Sequence, residues 1–318
     1  MSGPDRAEGL FLGIDVGGTT TAAGLVGPDG RVLLSRSQPT HGPRGGGALE
    51  RLLALTAEIA RLPLARERGL AGVGAGLPGL VDVAAGMVGG EAHHVPELSG
   101  VPVARLLAET AGAAAVVDND VNALALGESR WGAGRGARSL VLLAIGTGVG
   151  GGMVLDGRLY RGAGGFGGEL GHVPIDLHGR PCVCGARGCL KAYVAGPDLA
   201  EEATRRLGRP LDAAALFVRA REGDPAAEAV LADATEALAA GLTVIVNGIN
   251  PERLLVAGSV GRAFAEREAD LRARLARRAY AGALATTQIS FLDLGKDSSV
   301  RGGAALVLHE RERLHSRS

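Results

Sequence analysis

The chain has 318 residues, 46% of them apolar but only 3% aromatic, so a sizeable core must be built from Ala, Leu and Val, and the length suggests two domains. Its 34 basic and 34 acidic side chains balance, and the predicted pI is near 7.1, which leaves no field to draw it to nucleic acid or an anionic membrane. No run of 18 apolar residues occurs, the N-terminal stretch MSGPDRAEG is polar, and the three cysteines are clustered. Neither a membrane span nor a secretory signal is expected, and a reducing cytoplasm is.

Leu10 to Val16 reads as a buried strand entering the turn Gly17-Gly18. Thr20 to Val26 and Arg31 to Ser37 flank Gly27-Pro28-Asp29-Gly30, a hairpin signal. Gly45 to Leu62 has helical spacing, Ala71 to Gly76 is a strand before the turn Leu77-Pro78-Gly79, and Val103 to Ala111 is a helix. Ala114 to Val117 is a short strand and Val121 to Trp131 a helix. Ser139 to Ile145 is a strand ending in Gly146-Thr147-Gly148, Gly152 to Leu155 is the next, and Asp156-Gly157 signals a further hairpin. Helices are then expected over Pro197 to Leu207, Asp212 to Glu222, Pro225 to Asn247, Val260 to Ala279 and Gly302 to Arg313, with a strand at Arg253 to Ala257. Asp198 with Glu201 has the spacing of a capping box. Similar glycine turns after strands near residues 15 and 146 hint at two related halves with a cleft between them.

Four stretches carry chemistry. Asp15-Val16-Gly17-Gly18-Thr19 can offer backbone N–H groups and a hydroxyl to an anion, and Asp15 could hold Mg²⁺ beside a phosphate; a plain tight turn is the alternative. Ile145 to Gly152 repeats the pattern, and two such turns suit a nucleotide with several phosphates. In Asp118-Asn119-Asp120-Val121-Asn122 a carboxylate could take a proton from a substrate hydroxyl, or the residues could simply cap the following helix. Gly258-Ser259 follows a strand, where a base or ribose could lie close to the backbone, or where the chain merely turns into a helix.

His172, Cys182, Cys184 and Cys189 form H-x9-C-x-C-x4-C, four nitrogen and sulfur ligands of the kind tetrahedral Zn²⁺ prefers. A Cys182–Cys184 disulfide would be strained and would leave one cysteine over. The surrounding loop is rich in Gly and polar residues, so metal ligation would supply rigidity that its own core cannot. Glu169, just before His172, suits recognition of sugar hydroxyls, or else is a surface residue of that loop.

Taken together, these residues resemble the ROK family of sugar kinases and regulators. The matching stretches are DVGGT at 15–19, GLPG at 76–79, DNDVNA at 118–123, IGTGVGGG at 145–152, GELGHVP at 168–174, CVCGARGC at 182–189 and NPERLLVAGSV at 250–260. The resemblance implies an α/β, two-domain, actin-like ATPase (ribonuclease H-like) fold with the active site in the interdomain cleft. On that view residues 1–118 form one domain, completed by a C-terminal helix at about 300–318, and residues 119–299 form a larger one with the zinc loop. No helix-turn-helix precedes the first turn, which points to the kinases of the family.

The resemblance implies a role for each matching residue. Asp120 is the general base on the primary hydroxyl of a sugar. Asn119, Glu169, His172 and Gly79 hold the sugar, His172 also ligating structural Zn²⁺. Asp15, Gly17, Gly18 and Thr19, with Gly146, Thr147 and Gly148, cradle the phosphates of ATP and Mg²⁺. Gly258 and Ser259 lie near adenosine. The implied enzyme is a cytoplasmic, glucokinase-like homodimer whose partners are ATP and a sugar or cyclitol. The chain departs from the pattern at two further substrate-side positions. Lys191 stands where the family writes glutamate, and His94 stands near the place of an asparagine. Donor-only ammonium in place of acceptor-only carboxylate implies that the far end of the substrate differs, which makes a modified hexose, amino sugar or C7-cyclitol the alternative to glucose.

Overall fold

The computed structural model describes residues 9–42, 47–89 and 94–315. The described elements in the first part of the chain are β1 (Leu10–Val16), β2 (Thr20–Val26), β3 (Val32–Pro39), α1 (Ala48–Ala60), α2 (Pro63–Arg68), β4 (Leu70–Leu77), β5 (Val81–Asp82), β6 (Met87–Val88), α3 (Val103–Ala111), β7 (Ala115–Asn119) and α4 (Asp120–Trp131). There follow β8 (Leu140–Ile145), β9 (Val149–Leu155), β10 (Arg158–Leu159), α5 (Lys191–Val194), α6 (Gly196–Leu207), α7 (Ala213–Arg221) and α8 (Pro225–Gly248). The last are β11 (Arg253–Ala257), α9 (Ser259–Ala263), α10 (Glu268–Arg278), α11 (Ala281–Thr286), β12 (Gln288–Phe291) and α12 (Lys296–His315).

The chain divides into two compact units, Met1–Gly136 with Arg158–Phe166 and Leu294–Ser318, and Ala137–Gly157 with Gly167–Asp293. This division departs from a boundary at 118/119: α4 stays in the first unit because it packs along α12. Residues 158–166 also rejoin the first unit, which no local pattern in the sequence announces.

In the first unit the sheet order is β3-β2-β1-β4-β7. β1 pairs antiparallel with β2 and parallel with β4, and β4 pairs parallel with β7. One face is filled by α1 and α3, where Leu52, Leu55, Ile59, Val103 and Leu107 meet Leu12, Ile14, Val73 and Ala75. The other face takes α12, and there the fit is governed by small residues. A Cβ on Gly13 would lie 1.9 Å from the carbonyl oxygen of Val300, and one on Gly74 would lie 1.9 Å from that of Gly303. The helix backbone therefore rests directly on the sheet. This explains why α12 begins at Lys296, earlier than Gly302, and runs through Gly302-Gly303: helix propensity penalises these glycines by about 1 kcal/mol each, but the close approach demands them.

In the second unit β8 and β9 form a hairpin, and β11 and then β12 add in parallel beyond β8. This repeats the hairpin-then-parallel order of β2-β1-β4-β7, so the two glycine turns, 17–18 and 146–148, stand at equivalent places. Against this sheet pack α6, α7, α8 and α10. α8 is the one described helix long and apolar enough to cross a membrane by length and composition, but Val230, Leu231, Leu238, Leu242 and Val246 are buried in the core. The helix expected over Val260 to Ala279 is broken into α9, a 3₁₀ stretch at Phe264–Arg267, and α10. That interruption turns Phe264 fully inward, edge-on to Phe217 at 5.4 Å.

The glycine floor under α12 yields a direct expectation. Gly74→Ala forces the helix off the sheet, and overpacking of this kind costs about 1–3 kcal/mol or more. Urea denaturation of the variant should show a lower midpoint with an unchanged slope.

Candidate active site and metal centre

The first unit brings three strand ends together, two of which carry carboxylates. Asp15 on β1 is the register partner of Gly76 on β4, and Gly76 is the partner of Asp118 on β7. The parallel strands thus present Asp15, Gly76 and Asp118 side by side near their C-terminal ends, the usual ligand-bearing edge of such a sheet. Asn119 ends β7 and Asp120 opens α4. The capping alternative raised by the sequence holds for Asn119: its Oδ1 accepts from the N–H groups of Val121 (2.9 Å) and Asn122 (3.2 Å). Its Nδ2 donates to the Gly79 carbonyl at 3.1 Å, which joins the Leu77-Pro78-Gly79 turn to the same site.

With Asn119 as the cap, the Asp120 carboxylate is released from that duty, although Oδ1 accepts from Val121 N–H at 2.9 Å. Burial, and after it the charge of Asp15, push the Asp120 carboxyl up to about 7, against the lowering effect of the neighbouring N–H groups. Asp15 is itself raised by burial, partly offset by the Lys296 ammonium 3.6 Å away and by a hydrogen bond from Ser299. Lys296 and Ser299 sit in the first turn of α12 and were not singled out in the sequence. The available signal was that Lys296 is one of only two lysines in a chain otherwise basic through arginine.

The turn after β1 is braced from behind. Gly17 N–H donates to the Thr20 carbonyl (3.1 Å), Thr40 Oγ1 donates to the Gly17 carbonyl (2.6 Å) and Thr40 N–H donates to the Thr19 carbonyl (2.9 Å). Gly17 and Gly18 are partly exposed and Thr19 is exposed, accessible to an anion. His94, expected on the substrate side, lies against Gly18: a Cβ there would sit 3.0 Å from His94 Cβ. The His94 carbonyl accepts from His41 Nε2 at 3.3 Å, and His41 Nδ1 is 3.3 Å from Glu97.

In the second unit Gly146, Thr147 and Gly148 form the β8–β9 turn, closed by Gly146 N–H on the Gly148 carbonyl at 2.9 Å. Gly258 and Ser259 lie beside it. Gly258 has φ +88°, and a Cβ there would sit 2.4 Å from the Ile145 carbonyl oxygen, so only glycine lets β11 turn into α9 this close to the end of β8.

The metal-ligand set assembles as its spacing implied. Among the described residues, one Nδ1 or Nε2 of His172 and the Sγ atoms of Cys182, Cys184 and Cys189 all lie within 4.8 Å of one another. Cys182 Sγ is 3.5 Å from His172 Nδ1, and Cys184 Sγ is 3.7 Å from Cys189 Sγ. A tetrahedral ion bonded at about 2.0–2.3 Å separates its ligand atoms by roughly 3.3–3.8 Å, so the residues fit Zn²⁺. Burial, and then the neighbouring thiols, push the Cys189 thiol up to about 12, and a divalent cation is what lets several thiolates share this volume. Glu169 is exposed and caps nothing; its carbonyl accepts from His172 N–H at 3.0 Å.

Lys191, at the start of α5, is half-buried and paired: Nζ donates to Asp198 Oδ1 at 3.2 Å and is 2.8 Å from Oδ2, which faces the charge without an aligned hydrogen bond. Asp198 therefore makes no capping box. α6 begins at Gly196 with Ala195 as its cap residue, and Asp198, in the first turn, is occupied by Lys191.

Comparison with known proteins adds the family context. The profile of the ROK family matches residues 11–310. A glucokinase from Thermotoga maritima is 32% identical over 311 residues, covering 93% of this chain and 96% of its own. A kanosamine kinase from Amycolatopsis mediterranei is 35% identical over 302 residues, covering 93% and 95%. The crystal structure of a ROK family glucokinase from Streptomyces griseus in complex with glucose and AMPPNP superimposes with a TM-score of 0.75 at 28% identity, covering 94% of this chain and 99% of that one.

The cysteine cluster sets a test. The purified protein should carry close to one equivalent of zinc by elemental analysis, and Cys189→Ala should abolish it. An ion bound equally by the variant would mean that these ligands do not hold it.

Proposed function

Because the chain belongs to the ROK family and is a sugar phosphotransferase of the actin-like ATPase fold, we propose that it moves the γ-phosphoryl group of ATP to the primary hydroxyl of a hexose, with glucose the first candidate. The observation that carries this reading is Asp120. It is a carboxylate freed from capping by Asn119 and lifted to about 7, the range in which it can accept a hydroxyl proton and still be ionised at neutral pH.

The remaining roles follow from position. Asn119 and Gly79, joined by their hydrogen bond, flank the base and orient the acceptor hydroxyl, while Glu169 and His172 take the other sugar hydroxyls. The turns at Gly17, Gly18 and Thr19 and at Gly146, Thr147 and Gly148 hold ATP phosphates, and Gly258 and Ser259 border the adenosine. Asp15 would hold Mg²⁺, which when bound neutralises phosphate charge. The chain's own task is positioning and proton removal, as phosphoryl transfer requires. His172, Cys182, Cys184 and Cys189 would hold Zn²⁺, which stiffens the loop carrying Glu169. We assign the protein to the cytoplasm, as a homodimer with no nucleic-acid or membrane partner.

A second acceptor class has its own support. The Lys191–Asp198 pair puts a donor and an acceptor together at a position where the family pattern has glutamate alone, and a kanosamine kinase is among the relatives. An amino sugar, another modified hexose or a C7-cyclitol suits such a pair.

Two measurements test these assignments. Asp120→Asn should lower kcat by about 10²–10⁴-fold with zinc content unchanged, and wild-type kcat/KM should rise with pH through about 7, since only the ionised carboxylate accepts the proton. Activity retained in the variant would remove Asp120 from the base role. Lys191→Glu, assayed against glucose, glucosamine, kanosamine and a cyclitol, should change the ratio of kcat/KM between glucose and the others by roughly tenfold or more. An unchanged ranking would show that Lys191 does not touch the acceptor.

A further inference from the structure

Outside the residues already assigned, the first unit contains a chain of paired charges that ends at Asp118, two residues before Asp120. Asp118 is almost fully buried, its side chain 3% exposed. Its Oδ1 accepts from the backbone N–H of Asn119 (2.7 Å) and from Asn122 Nδ2 (2.9 Å). Its Oδ2 accepts from Arg161 Nε at 2.7 Å. The same guanidinium donates through Nη2 to Glu310 Oε1 at 2.9 Å, and Glu310 Oε2 accepts from Arg313 Nε at 2.6 Å. Arg161 stands in the short segment Arg158–Phe166 that rejoins the first unit, Asp118 on β7, and Glu310 on α12. One guanidinium thus forks between two carboxylates from two different elements.

We propose that Arg161 is a positioning residue for phosphoryl transfer: through Asp118 it fixes the β7–α4 junction, and so the aim of the Asp120 carboxylate. The inference rests on the reading of Asp120 as the base.

Three observations support it. First, Asp118 contacts both sides of Asp120 along the chain. It binds the N–H of Asn119, the cap residue, and the side chain of Asn122, in the first turn of α4. Second, Asn122 depends on Asp118, because its Oδ1 is buried with no hydrogen-bond partner of its own. Third, the charges balance only with Arg161 in place. Burial would raise the Glu310 carboxyl, yet the bonds and charges of Arg313 and Arg161 hold it below its usual range. The neighbouring His309 is held below its usual range by burial and by the Arg161 charge. Without the guanidinium two buried carboxylates lose their shared partner, and Asp118 must turn toward other donors. Its turning releases Asn119 N–H and Asn122 together, and with them the first turn of α4. A misplacement of about 1 Å in a reacting group can cost roughly 10²-fold in rate. A lysine would restore one cation but could not fork to both acceptors in one plane.

The test uses the full chain with ATP and the acceptors named above, assayed at least 15 °C (about one unfolding transition's width) below each variant's midpoint. Arg161→Gln is expected to lower kcat by roughly 10–100-fold, with the KM of both substrates within about threefold of wild type. Arg161→Lys should recover part of that loss. The double variant Asp118→Asn/Arg161→Gln should be no slower than the slower single variant, because the two residues act through one contact. Should Arg161→Gln not fold, the Lys variant is read alone, and a kcat loss beyond its loss of folded protein supports the proposal. The proposal is overturned if kcat per folded molecule stays within about twofold of wild type in these variants while Asp120→Asn is inactive. It is overturned also if the two single losses simply multiply in the double variant. Activity retained in Asp120→Asn removes the base assignment and this proposal together.

Discussion

The seat of α12 on bare backbone is the contact on which the first unit depends. Gly13 and Gly74 leave no side chain between sheet and helix, so the carbonyls of Val300 and Gly303 come to rest on β1 and β4. This closeness is costly in helix propensity and worthwhile only because it sets the helix at one depth and one rotation. At the N-terminal end it brings Lys296 and Ser299 to Asp15; further along it delivers Glu310 to Arg161. A helix standing a side chain higher could reach neither.

Around that seat the electrostatics oppose one another in a useful way. Asp15 and Asp120 each lose hydration, and the first charge raises the second. Lys296 moderates Asp15 without reaching hydrogen-bond distance, its ammonium 3.6 Å away and half exposed. The two carboxylates thus sit among different partners: Asp15 beside the braced turn and a cation, Asp120 released from capping by Asn119. Asp118, one strand beyond Gly76 in the register, takes no part at the surface and instead joins Arg161 to the backbone of β7.

The metal-ligand loop follows a different logic. It has little apolar surface of its own: Leu177 and Val183 are exposed, and only Cys189 among the ligands is buried. Four candidate ligand atoms gathered within 4.8 Å could, with a bound metal, supply the rigidity that a core would otherwise give. Immediately beyond, Lys191 and Asp198 tie α5 to α6 by an ion pair whose side chains are only 15% and 18% exposed, so it is little screened.

Local patterns made much of this legible. Buried strands ending in Gly-Gly or Gly-Thr-Gly, the DNDVN stretch and the H-x9-C-x-C-x4-C spacing are all contained within a few residues, and each found its expected place on a strand end, a helix start or a ligand cluster. What failed was whatever depended on distant partners. Asp198 had the spacing of a capping residue, but Lys191 claims it. The Phe264 break inside the 260–279 region is imposed by a core contact with Phe217.

By itself, then, the sequence determined the family, the fold class, the cluster of His172 with three cysteines and the identity of the carboxylate at the start of α4, because those depend on residue type and short spacing. Only the tertiary structure decided which cations pair with Asp118 and Asp15. Arg161 lies 43 positions from Asp118 and 149 from Glu310, and Lys296 reaches Asp15 from the other end of the chain. No local pattern encodes those pairings; they exist because burial leaves a carboxylate dependent on the cations that packing brings within reach.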